Sequence, residues 1–146
     1  MAGFNFAQIR SKLALTKRVL PIVLAKQAET HFVESFTKGG QDEYKWAEVQ
    51  RRIPSTKAWK YRSKPKASSR TSPIGVRTGN LRRKQSRAIR EVSWGRIRIV
   101  NDTPYADYFY NGTANMPPRQ NMKQTSTLTT MQRTTIKNEV DKIWNV

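Results

Sequence analysis

Residues 6–37, FAQIRSKLALTKRVLPIVLAKQAETHFVESFT, decide the fold. Phe6, Ile9, Leu13, Leu20, Leu24, Ala28, Phe32 and Phe36 recur at steps of three, four or seven residues, which places them on one stripe of a helix. The spacing predicts helix over residues 4–37. Pro21 lacks an N–H and its ring crowds the preceding turn, so a kink, or a split into a short first helix and a main helix from about residue 20, is expected. Gly39-Gly40 then offers the left-handed residue on which helices commonly end.

Beyond the helix, Gln41 to Ile53 holds Tyr44, Trp46 and Val49 among polar residues and reads as a loop or single turn, with Trp46 as an anchor on the core. Residues 54–77 turn to Ser, Thr, Lys, Arg and Pro without periodicity, the pattern of a long, mobile basic loop. Gln85 to Trp94 and Arg96 to Asn101 flank Gly95, and Ile97 and Ile99 alternate with arginines, so residues 85–101 read as a hairpin. Tyr105 to Tyr110 is an aromatic cluster closed by Asn111-Gly112, and Met116-Pro117-Pro118-Arg119 is extended. Thr125 or Ser126 caps a last helix over residues 126–145 carrying Leu128, Met131, Ile136, Val140 and Ile143. The expected class is α+β: a single domain in which long N-terminal and C-terminal helices pack on a small antiparallel sheet. Trp46, Trp94, Phe32, Phe36 and Ile99 are expected to share one core with the last helix.

At 146 residues the chain can build one core, not two. It contains no cysteine, which excludes disulfides, thiolate metal sites and a cysteine nucleophile. His31 is its only histidine, expected as a structural imidazole rather than a general base. Carboxylates are few: Asp42, Glu43 and Glu48 in one loop, Asp102 and Asp107 after the hairpin, none at a metal-binding or catalytic spacing. The expectation is a protein without enzymatic activity, metal or cofactor. The longest aliphatic run, Val19 to Ala25, is broken by Pro21 and too short to span a bilayer, so no membrane association is expected.

Charge carries most of the information on partners. Lys plus Arg number 28 against 10 Asp plus Glu, a formal charge of +18. Sixteen of the 28 lie in residues 51–98, opposed there by Glu91 alone. Lys57, Lys60, Arg62, Lys64, Lys66 and Arg70, interleaved with Trp59 and Tyr61, form a candidate arm. Three uses fit it: backbone contact with DNA, recognition of structured RNA, or docking on an acidic protein. No zinc-finger spacing, basic region with heptads or RNP sequence is present. Tyr105, Tyr108, Phe109 and Tyr110, with Met116, Pro117, Pro118 and Arg119, form a candidate subunit or neighbour interface, because aromatics with arginine are common interface anchors.

The order of landmarks resembles the virion morphogenesis family of tailed phages, also called tail-completion or neck proteins. The matching residues are His31-Phe32-Val33-Glu34-Ser35-Phe36 before Gly39-Gly40, then Trp46, Thr78-Gly79-Asn80-Leu81-Arg82, Tyr105-Ala106-Asp107-Tyr108 with Gly112, and Met116-Pro117-Pro118-Arg119 before the last helix. The resemblance spans nearly the whole chain. It implies a structural virion protein of the head–tail junction, found in the host cytoplasm during assembly. It also implies a homo-oligomeric ring, a hexamer among the candidate orders, with other neck, connector and tail proteins, and DNA, as partners. The alternative is a cellular nucleic-acid-binding protein of ribosomal type, which the basic loop would equally suit.

Overall fold

The computed structural model describes residues 5–60, 72–76 and 78–145. The fold is α+β, as expected. Its spine is α1 (Phe6–Lys38), about 50 Å long at 1.5 Å per residue. The Asn5 side chain caps its start by accepting from Gln8 N at 3.1 Å. Gly39 ends it in the left-handed conformation, φ 70°, with its N–H donating to Ser35 O. The helix runs through Pro21 without dividing. A proline inside a helix costs about 3 kcal/mol, a penalty that burial of a Leu20-sized side chain largely offsets, and Leu20, Pro21 and Ala25 are all buried.

After α1 come a two-residue ladder of β1 (Gly40–Gln41) and β2 (Tyr44–Lys45), a 3₁₀ turn (Gln50–Arg52) and one helical turn, α2 (Lys57–Lys60). Then follow α3 (Asn80–Gln85), the antiparallel hairpin of β3 (Ile89–Val92) and β4 (Ile97–Ile99), α4 (Ala106–Asn111) and α5 (Ser126–Trp144). Two expectations change here. The hairpin is shorter than residues 85–101, because Gln85 closes α3, whose six residues carry too little apolar periodicity to be noticed. Tyr105 to Tyr110 contributes a helix, α4, whose single turn and a half leaves one side chain, Phe109, inside.

The last helix lies where the periodicity places it, and Thr125 caps it by accepting from Leu128 N at 3.1 Å. Thr125 meets His31 near the end of α1, while Trp144 Nε1 donates to Thr16 Oγ1 at 3.3 Å near its start, so α5 runs antiparallel along α1. Ser126 N and its hydroxyl also donate to the Glu43 carboxylate, tying the start of α5 to the loop after α1.

Among the described residues the apolar interior forms two clusters rather than the single core expected. One gathers Phe36, Trp46, Ile74, Leu81 and Phe109, with no contribution from α5. The other joins Ala28 and Phe32 to Leu128, with Ile99 and Met122 against it. Trp94 belongs to neither: it is 55% exposed at the tip of the hairpin. Val100 N donates to Ala88 O at 2.8 Å and so extends the ladder at its base, where Ile99 packs on the second cluster, while every residue from Glu91 to Arg98 is exposed. Within residues 54–77, expected as a mobile basic loop, Ile74 is buried in the first cluster.

The stripe on α1 is also only partly buried. Phe6 is 70% exposed and Leu13 is exposed, because α5 and the hairpin cover the helix from Thr16 onward. Removing the Phe36 ring by Phe36→Ala should therefore cost about 3–5 kcal/mol of stability. Trp94→Ala should change it by less than about 0.5 kcal/mol. Urea unfolding measures both, and equal losses would show that Trp94 is packed in solution.

Candidate functional site

Three aromatic rings fix the geometry of the candidate site. Phe36 of α1 and Phe109 of α4 lie 5.7 Å apart and nearly parallel, and Trp46 meets both edge-on at 5.5 and 5.4 Å. Gly75 closes over them at φ 78°, where a Cβ would stand 2.7 Å from Phe109 Cζ. Only glycine fits that approach.

This packing leaves an open groove of about 890 Å³ between the 3₁₀ turn, Gly75 with Thr78 to Leu81, and α4 with the chain that follows it. Tyr105, Tyr108, Phe109, Met116, Pro117 and Arg119, six of the eight residues expected at an interface, line it together. Tyr110 and Pro118 do not. Tyr105 and Tyr108 are exposed at its edge, the latter by 61%, and Asn80 Nδ2 donates to the Tyr105 hydroxyl at 3.3 Å. Two of these six are buried rather than exposed. Phe109 is buried in the aromatic trio, and Arg119 is only 5% exposed, because the chain after α4 folds back and Arg119 N donates to Phe109 O at 2.9 Å. The opposite wall, Glu48 to Arg51 and Thr78 to Leu81, was not foreseen as part of a site; the Thr78-Gly79-Asn80-Leu81 sequence was its available signal.

Arg119 is electrostatically conspicuous. Its guanidinium lies over the Phe109 ring, 5.9 Å from the centroid, and has no carboxylate within ion-pair distance among the described residues. Burial, and then the neighbouring Arg51 charge, lower its pKa, with Glu48 opposing. A cation–π contact of roughly 1–2 kcal/mol does not cover the several kcal/mol lost on burying an unpaired cation.

The basic residues occupy different ground. Of the expected arm, Lys57 and Lys60 are exposed on α2, whereas Arg62, Lys64, Lys66 and Arg70 lie outside the described residues, as does most of the loop. Residues 80–99, which span α3 and the hairpin, hold seven basic side chains against Glu91 alone. Asp102 pairs with Arg90 at 2.9 Å and with Lys84 at 3.8 Å, and Glu91 with Arg96 at 3.5 Å. Arg82, Arg83, Arg87 and Arg98 are exposed and have no carboxylate partner among the described residues. Such surface pairs contribute about 0–1 kcal/mol each, so this face keeps its positive field.

His31 is buried beside the cap of α5, with Nε2 and Thr125 Oγ1 3.2 Å apart. Burial chiefly, and Lys38 next, lower its pKa from 6.5 against the opposing Asp42 and Glu34. A neutral imidazole can accept the Thr125 hydroxyl proton while Thr125 Oγ1 accepts from Leu128 N. No group of three or more acidic or histidine side chains among the described residues could hold a metal ion. No helix among them is long and apolar enough to cross a membrane.

Because the folded protein binds the His31 proton less readily than the unfolded chain, stability should be complete above pH 6.5. It should decline as pH falls through 6.5 toward the lower folded value. His31→Gln should flatten that slope between pH 7 and 5, and thermal melts across pH check it. In comparisons with protein-family models, curated proteins and solved structures, the chain has no match.

Proposed function

We propose that the chain is a structural virion protein of the phage head–tail junction, a neck or tail-completion subunit that works by ring assembly and protein docking. The ordered landmarks described above suggest the family. The observation that carries the reading is the distribution of large apolar side chains left in solvent. Phe6, Leu13, Leu15 and Ile22 stand out on α1, Val92, Trp94 and Ile97 on the hairpin, and Tyr105 and Tyr108 at the groove. Apolar side chains gathered on an exposed element offer contact area to a neighbouring protein. A ring subunit needs two different contact surfaces, one for each neighbour, and a further one for the next component along the particle.

The basic face supports the same setting. The unpaired arginines of α3 and the hairpin, with Lys57 and Lys60, would face either acidic protein or the DNA that passes through a head–tail junction.

Assembly and nucleic-acid binding are tested separately. Sedimentation and single-particle imaging should find closed rings of the full chain, and Trp94→Ala with Ile22→Ser should leave the fold intact while shifting the population toward monomer. Duplex DNA should bind without sequence preference, and its affinity should fall with salt at a log–log slope of about 0.9 per phosphate neutralised. A monomer that retains one structured RNA at moderate salt would instead identify a ribosomal-type protein.

A further inference from the structure

The chemistry of the groove is incomplete at Arg119. Its Nε is sealed from solvent without an acceptor, and no hydrogen bond reaches its terminal nitrogens from the described residues. The other charged groups of the groove are engaged. Glu48 accepts from Val49 N at 2.9 Å and pairs with Arg52 at 3.4 Å, and Arg51 donates to Pro73 O at 2.9 Å and Ser72 O at 3.3 Å. Arg119 is thus a buried cation at the base of an open groove, without a counter-ion in the described part of the chain.

We infer that this groove receives a segment of another, more acidic protein, which delivers an Asp or Glu carboxylate to Arg119. A planar guanidinium with both terminal nitrogens unbonded suits bidentate pairing with a carboxylate. The lining suits a peptide: Tyr108, Met116 and Pro117 offer apolar contact, and Gln50, Asn80 and Asn115 offer amides to a backbone. A side-chain carboxylate on a short stem can reach a nearly buried group, whereas the phosphates of a duplex are fixed to a wide rod. A second copy of this chain has little to give. Seven of its ten carboxylates are engaged, Glu29, Glu34, Glu48, Glu91, Asp102 and Glu139 in ion pairs and Glu43 with Ser126, which leaves Asp42, Asp107 and Asp141 on a chain whose net charge of +18 repels its own copy. The inference rests on reading this face as a protein-docking surface, and does not require ring formation.

The test uses the full chain labelled with nitrogen-15. It is titrated with acetyl-Leu-Glu-Leu-amide, with the same peptide carrying Gln, with inorganic phosphate and with a short DNA duplex. The Arg119 Nε–H resonance should move saturably with the Glu peptide, at an affinity about tenfold above the Gln peptide, as one charge-assisted contact implies. Arg119→Met keeps the volume and removes the buried cation, so it should fold and bind both peptides equally. Asn115→Trp should fill the groove and weaken the Glu peptide about tenfold while leaving Arg119 in place. Equal binding of the two peptides by the unaltered chain would overturn the inference. So would an Arg119 resonance that follows phosphate or duplex in preference to the peptide, or one that Glu48→Gln moves as far as the peptide does. Should Arg119→Met not fold, the Glu-against-Gln comparison decides. Peptide engagement without rings would remove the ring reading and keep the site; rings without peptide engagement would do the reverse.

Discussion

The packing of Phe36, Trp46 and Phe109 under Gly75 is the contact on which the rest of the molecule depends. Each ring comes from a different part of the chain, and Ile74 and Leu81 join the same cluster. One close-packed group therefore locates the end of α1, the segment after β2, the turn before α3, and α4. Alone, none of the short elements could persist: β1 and β2 have two residues each, and α3 and α4 six. Helices of that length are marginal in water, and burial of one or two large side chains per element decides that they form.

A second joint is polar. The Gln85 carboxamide oxygen accepts from Asn101 at 3.1 Å and from buried Asn121 at 3.2 Å, and Gln41 donates to the Asn121 and Lys123 carbonyls at 3.3 Å. These amides connect α3, the exit of the hairpin, β1 and the approach to α5. Low-dielectric surroundings make such bonds directional, although Gln85 Nε2 and Gln41 Oε1 are themselves buried without a partner among the described residues, so the network is only partly satisfied. The two clusters of the interior are thereby held in a fixed relation without a continuous apolar core between them.

What the fold leaves uncovered is as informative as what it buries. The hairpin reaches the body only through its base, and its arginines and Trp94 share the exposed end. The first turns of α1 touch the body chiefly where Lys12 donates to Trp144 O and Trp144 to Thr16. Both features suit a subunit whose extensions are completed by neighbours. The groove lies on a different part of the chain and combines exposed tyrosines with a buried cation, a chemistry separate from that of the basic face. On the proposed reading the chain makes several contacts with different partners, one governed by apolar area, one by a specific ion pair and one by diffuse charge.

Much of this was legible in the sequence. Helix α1 with its glycine stop, α5 with its Thr125 cap, and the hairpin around Gly95 follow from local rules of periodicity, capping and turn chemistry, which act between residues a few positions apart. The cluster of aromatics with a Pro-Arg pair brought forward six of the sixteen groove-lining residues as one group, but not the wall formed by Glu48 to Arg51 and Thr78 to Leu81. Three things were decided only by tertiary structure. Trp94 is outside and Ile74 inside, although composition argues the reverse, because burial depends on which surfaces meet and a short hairpin has no partner beyond its base. The stripe of α1 is apolar from Phe6 but buried only from Thr16, because α5 ends where it does. Arg119 is a buried cation rather than a surface anchor, because the chain after α4 turns back onto Phe109, a contact set by three-dimensional packing and not by any spacing in the sequence.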